Sequence, residues 1–148
     1  MDKIEILQKS PLFEKLLPAE LETLAELTQP REYESGEVII REGDAGDALY
    51  ILVQGEVEVL RRDPRGADHS LAVLTVPDFF GEMSLIDKEH RSATVRTRTR
   101  VTALTLTAEN LHSFAKVYRE GFTWIAVNIA KVLSHRLRET NRRLSDQG

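Results

Sequence analysis

The sequence predicts an α+β chain in which helices at both ends flank an antiparallel β core, and three observations carry that reading. Apolar residues recur at helical spacing up to about Leu27. From Arg31 to Thr107 the pattern changes to short alternating runs broken by glycine turns. From Phe122 to Leu144 apolar residues again recur at threes and fours, along one uninterrupted segment. The length, 148 residues, is that of one domain able to bury a full core. The expected organisation is a single domain over 1–148, with N-terminal helices at 1–30, a β core at 31–107 and C-terminal helices at 108–148.

Taken in order, residues 2–9 start a short amphipathic helix that Ser10-Pro11 interrupts. Leu12, Phe13, Leu16 and Leu17 are apolar at helical spacing. Pro18 opens a second helix at a position that tolerates it, Leu21, Leu24 and Leu27 give that helix a narrow buried stripe, and Gln29-Pro30 ends it. Strands are expected at Arg31–Glu34, Val38–Arg41, Ala48–Gln54, Glu56–Arg61, Leu71–Val76, Ser92–Arg98 and Val101–Thr107. The turns fall at Ser35-Gly36-Glu37, at 43–47, at Gly55 and at 63–68. Such a series makes a barrel, a roll or a sandwich. Asn110 begins a helix with Leu111, Phe114, Val117 and Tyr118 along one side. Arg119-Glu120-Gly121 marks a bend, and the long helix then runs to about Leu144. Its stripe packs on the core near its start and on a copy of itself further along.

Composition excludes several classes of function. The chain has no cysteine, which removes disulfide scaffolds, Cys-ligated zinc and iron–sulfur clusters. His69, His90, His112 and His135 are scattered over a hairpin, a loop and two helices without metal-ligand spacing, so no metal is expected. No nucleophile elbow appears, and the glycine turn at 43–47 lacks the Lys-Ser/Thr of a phosphate loop. The chain is therefore read as a non-enzyme. A net charge of −4 argues against a nucleic-acid surface. No apolar run spans a membrane and no signal peptide opens the chain, so the expected location is cytoplasmic. Arg96, Arg98 and Arg100 alternate along one strand face, which reads as a solvated face. The basic far end of the long helix (Lys131, Arg136, Arg138, Arg142, Arg143) reads the same way.

The chemistry concentrates between Phe79 and Val95. Two aromatics on a strand lead to Gly81 and a carboxylate at Glu82. A short amphipathic turn (Met83, Leu85, Ile86) and a charged loop follow, and the chain returns to a strand through Arg91, Ser92 and Ala93. The carboxylate suits a hydroxyl or a cation, and the guanidinium suits an oxyanion that its forked donors can bind bidentately. The Met83 and Ser84 peptide N–H groups, at the start of the short helix, favour the same oxyanion. A ribose hydroxyl beside a phosphate satisfies all of them.

The run from Phe80 to Ala93 resembles the phosphate-binding cassette of the cyclic nucleotide-binding domain family: Gly81, Glu82, Leu85, Arg91, Ser92 and Ala93 match in order. The resemblance extends to the Ser-Pro-Leu-Phe start at Ser10–Phe13 and to the order Gly36, Gly43, Gly46, Tyr50, Gly55, Val57. It implies an antiparallel β-roll, jelly-roll-like, with N-terminal helices and a long C-terminal helix. It also implies that Glu82 binds the ribose 2′-hydroxyl and that Arg91 binds the cyclic phosphate, with Ser92 and the Ser84 amide in support. Val59, Leu71 and Ala72 align with positions that pack on the base. In the catabolite-activator branch of the family a Thr-Ser pair on the long helix contacts adenine across a dimer, and Thr140 and Asn141 stand at those positions. Two departures are visible: Val76-Pro77-Asp78 replaces a glycine turn, and His90 stands where the family commonly has proline.

The resemblance thus implies a regulatory module for cAMP, with cGMP also compatible with Ser92 and Thr140 leaning toward adenine. It implies a homodimer through the C-terminal helix and an unidentified downstream protein. Ligand closure would press Leu85 on Val117, Tyr118 and Phe122. No helix-turn-helix, kinase, cyclase or channel segment follows the long helix, so the output is expected to pass through an assembly surface. A ligand-free adaptor of the same fold is the competing reading, and the presence of both Glu82 and Arg91 favours the first.

Overall fold

The computed structural model describes residues 1–83 and 90–147. Helix α1 (Lys3–Lys9) is capped by the Asp2 carboxylate, which accepts from Glu5 N–H at 3.2 Å. Ser10 closes it and caps the next element, its Oγ accepting from Leu12 N–H at 3.3 Å. That element is a 3-10 turn of three residues, Pro11–Phe13, so the segment is shorter than its helical spacing suggests. Leu12 and Phe13 are buried, whereas Leu17, expected in the same apolar set, is exposed just before α2 (Pro18–Leu27). The backbone N–H of Leu17 finds its partner in Glu20, whose Oε1 accepts it at 2.8 Å, one half of a capping box.

Among the described residues eight strands form two four-stranded antiparallel sheets. The first runs β1 (Gln29–Tyr33), β8 (Val101–Thr107), β3 (Ala48–Gln54), β6 (Phe79–Phe80); the second runs β2 (Val38–Ile40), β7 (Thr94–Thr97), β4 (Glu56–Arg62), β5 (Asp68–Thr75). Strand β1 begins at Gln29 rather than Arg31, because Pro30 sits on an edge strand, where a missing ladder donor costs little. The strand expected over Ser92–Arg98 is confined to Thr94–Thr97, and the one expected over Leu71–Val76 starts earlier, at Asp68. The β4–β5 hairpin is held by Asp63, which accepts from Arg65 and Ala67 N–H and meets His69 Nε2 at 2.6 Å. The His69 contact, followed by these amides, holds the Asp63 carboxyl below its ordinary range.

Strand β3 is the two-sided centre of this arrangement. Leu49 and Ile51 face a core shared with Leu7, Leu24, Leu104, Leu111, Ile125 and Ile129. Ala48, Tyr50 and Leu52 face a second core between the sheets, with Ile40, Val57, Val95 and Ala103. The period of two does the same on β6: Phe79 enters the helical core, and Phe80 stacks on Tyr50 at 5.1 Å in the inter-sheet core. Adjacent aromatics therefore anchor the start of the cassette in both cores at once.

Thr107 caps α3 (Ala108–Val117), its Oγ1 accepting from Asn110 N–H at 3.1 Å. The break before the last helix falls at Tyr118, with φ −116° and ψ 72°, and α4 runs Arg119–Gln147. Gly121 is therefore inside the helix rather than at a bend. It is small for a packing reason, since a Cβ there would overlap the buried Glu20 carboxylate. Further along, Asn128 Nδ2 donates to the carbonyls of Leu12 and Glu14 at 3.0 and 2.9 Å, tying α4 to the 3-10 turn. Beyond Leu133 the apolar stripe leaves the body, and Leu137 and Leu144 are exposed. Because Glu20 is held by Leu17, it cannot swing away freely. Gly121→Val should therefore lower the unfolding free energy by about 1–3 kcal/mol in urea titration.

Candidate functional site

The cassette returns to the body through a backbone clamp. Gly43 N–H donates to Arg91 O at 2.9 Å, Arg91 N–H donates to Asp44 O at 2.7 Å, and Ala45 bridges His90. The 43–47 glycine turn is thus part of the structure around Arg91, because it fixes where Arg91 emerges. The Arg91 side chain crosses to the far strands, where Nη1 donates to Gly81 O at 3.0 Å and Nη2 to Ala48 O at 2.8 Å. It passes flush over Gly46, where a Cβ would overlap Nε. Gly81 has φ +84° and would bring a Cβ within 2.9 Å of Ala48 O, so both its conformation and its neighbour require glycine.

Glu82 follows immediately and is 5% exposed. A buried carboxylate requires a cation or donors. Arg136 of α4 supplies the first, Nη1 lying 3.1 Å from Glu82 Oε1, while its Nη2 donates to Phe79 O at 3.3 Å. The Arg136 guanidinium also lies 5.6 Å from the Phe79 ring centroid. Arg136 thus joins α4 to β6 and to the cassette through both edges of its fork.

Between these groups lies a cavity of about 400 Å³. Of the residues singled out from sequence, Gly81, Glu82, Met83, Arg91, Ser92, Ala93, Val59, Leu71 and Ala72 all line it. Ser84 and Leu85 lie outside the described residues. Thr140 and Asn141 do not line it; both are exposed on α4, and Thr140 Oγ1 donates to Arg136 O at 3.0 Å. His90, read as a loop histidine, lines it as well. Arg136 is the residue that the sequence reading missed, having been grouped with the basic end of the helix. The available signal was its place one turn before Thr140 on the same helix. Arg96, Arg98 and Arg100 are exposed, with Arg98 4.0 Å from Glu58 and Arg100 3.7 Å from Glu32, but they do not share a strand face: only Arg96 lies on β7, which ends at Thr97. Among the described residues no group of acidic or histidine side chains could hold a metal ion, and no helix is long and apolar enough to cross a membrane.

Among the described residues one carboxylate, two guanidinium groups and an apolar wall of Val59, Leu71 and Ala72 line one cavity. That set suits a ligand with a hydroxyl, an anionic group and a flat apolar part. The family model described as the cyclic nucleotide-binding domain matches residues 30–118. A CRP-like cAMP-activated global transcriptional regulator of Mycobacterium tuberculosis is 33% identical over 142 residues, covering 96% of this chain and 62% of that protein. A cAMP-dependent protein kinase regulatory subunit of Blastocladiella emersonii is 35% identical over 92 residues, 62% of this chain and 23% of that one. The crystal structure of Thermus thermophilus catabolite activator protein superposes with a TM-score of 0.79 at 34% identity, covering 92% of this chain and 62% of that one. The chain thus spans about three fifths of the length of the M. tuberculosis relative.

The Glu82–Arg136 pair has one member almost fully enclosed and one about a third exposed. In a double-mutant cycle of Glu82→Gln and Arg136→Gln, followed by denaturant unfolding, we expect a coupling of about 1–2 kcal/mol. Additive effects would show the pair to be energetically idle.

Proposed function

This chain belongs to the cyclic nucleotide-binding domain family, and from that membership we propose that it is a cAMP-binding regulatory module without catalysis of its own. The carrying observation is that Glu82 and Arg91 line one cavity together with the apolar Val59, Leu71 and Ala72. In this reading Glu82 accepts from the ribose 2′-hydroxyl, which rejects deoxyribose because the carboxylate would otherwise lose a partner, at a cost of about 1–3 kcal/mol. Arg91 neutralises the cyclic phosphate, its guanidinium already oriented by the Gly81 and Ala48 carbonyls. Ser92 and the Met83 amide complete the phosphate end, and Val59, Leu71 and Ala72 hold the base. Both curated relatives described above carry cAMP in their names, which supports cAMP over cGMP.

The signal leaves through α4. Arg136 contacts Glu82 directly, so a ligand that occupies the carboxylate changes the contact that seats the helix. The exposed stripe through Leu137 and Leu144 pairs with a second copy, which brings Thr140 and Asn141 toward the partner's nucleotide and presents a surface to a downstream protein. A ligand-free adaptor is the second reading, and one observation favours it: Glu82 already has a cation.

Isothermal titration of refolded, ligand-stripped protein separates the two. We expect cAMP to bind at micromolar dissociation constant or tighter, more tightly than cGMP. Arg91→Ala should weaken it by about 30-fold or more, since a buried charge then loses its partner. No heat from folded protein with either nucleotide would leave the adaptor. The assembly has its own test: Leu137→Asp with Leu144→Asp should convert a sedimenting dimer to a monomer while the circular dichroism spectrum is retained. A wild-type monomer would sink the dimer.

A further inference from the structure

His90 stands one residue before Arg91 and lines the same cavity. Of the four histidines in the chain it alone does so. His69, by comparison, meets Asp63 on the β4–β5 hairpin. The main chain at His90 has a defined place. Ala45 bridges it in the antiparallel sense, Arg91 N–H donates to Asp44 O at 2.7 Å, and Arg91 O accepts from Gly43 N–H at 2.9 Å. Backbone pairing with the 43–47 turn thus presents His90 and Arg91 to the cavity from one anchored stretch. The residue is exposed, and among the described residues no hydrogen bond or ion pair occupies its ring.

The chemistry beside it leaves room for another donor. Arg91 directs Nη1 at Gly81 O and Nη2 at Ala48 O, so part of its fork is spent on the protein itself. A cyclic phosphate spreads one negative charge over two exocyclic oxygens, and each of them can accept more than one hydrogen bond. An imidazole offers at least one N–H donor whether it is neutral or protonated. Proline, which the sequence resemblance places at this position, has no N–H at all.

We propose that His90 is a further ligand-contacting residue of this cavity, its ring donating an N–H to an exocyclic oxygen of the phosphate that Arg91 neutralises. This contact rests on the nucleotide reading above and adds to it a donor that a proline could not supply. An imidazole and a guanidinium then hold the anion side by side.

The test is isothermal titration of the refolded, ligand-stripped 148-residue protein with cAMP and with its Rp and Sp phosphorothioates. In each isomer sulfur, a weak acceptor, replaces a different exocyclic oxygen. His90→Ala should weaken cAMP by about three- to tenfold, the loss of one hydrogen bond. Its circular dichroism should match wild type, because the position is exposed. His90→Gln, which keeps a side-chain N–H donor, should recover part of the loss. The ratio of Sp to Rp affinity should also change between wild type and His90→Ala, because only one isomer keeps the oxygen that His90 holds. A residue that merely shapes the loop would weaken cAMP and both isomers by one common factor, and that result overturns the contact. Unchanged cAMP affinity in His90→Ala overturns it as well, and leaves the nucleotide reading standing. Folded wild-type protein that binds none of the three nucleotides sinks the nucleotide reading and the contact together.

Discussion

A carboxylate placed at the junction of a strand and a cassette, and buried to 5% exposure, constrains the structure more than any other group. Left alone, a buried charge of this kind is expensive, and the structure meets the cost with a guanidinium that must reach in from elsewhere. The donor is Arg136, fifty-four residues further along the chain. To deliver it, α4 has to lie across β6, and several local features serve that placement. Gly121 lets the first turn of α4 rest on Glu20, Ile125 and Ile129 enter the helical core, and Asn128 fastens the next turn to the Leu12 and Glu14 carbonyls.

The phosphate end is built by a different principle. Backbone groups help to orient Arg91: two carbonyls take its Nη atoms, and the 43–47 turn holds its own N–H and C=O. Carbonyl acceptors fix the fork without neutralising it. Glu82, by contrast, meets a charged side chain, Arg136. A guanidinium and a carboxylate lining one cavity suit a ligand that brings one negative charge and a neutral hydroxyl.

How much of this was legible follows from how local each feature is. Strands β3 and β8 could be bounded from sequence because each lies between turn signals, β3 as an apolar run buried on both faces and β8 as apolar residues interleaved with threonines. The cassette was legible because its residues are contiguous and their types are chemically specific. The 3-10 turn was read as helix because Leu12, Phe13 and Leu16 satisfy the spacing while Ser10 caps a single turn. The role of Gly121 was not legible, since glycine in a helix ordinarily signals a break and only the Glu20 carboxylate explains it. Arg136 was hidden for a similar reason. Five basic residues share the end of that helix, and the one that turns inward is selected by a partner on a distant strand.

The same pairing decides how α4 could respond on the proposed reading. Glu82 has two oxygens and roughly four acceptor positions, of which Arg136 uses one on Oε1. A ribose hydroxyl on the other oxygen would therefore complete the arrangement without displacing the helix, and the ligand would tighten a contact already present. A ligand that required Oε1 would instead release α4. From Arg136 to Leu144 the helix rises about 12 Å, so a small rotation at the pair becomes a larger displacement along the exposed apolar stripe. Tightening is favoured over release because Arg136 keeps a second hold, on the Phe79 carbonyl, that no ligand at Glu82 needs to break. The long helix is thus better suited to being fixed in one pose by the nucleotide than to being freed by it.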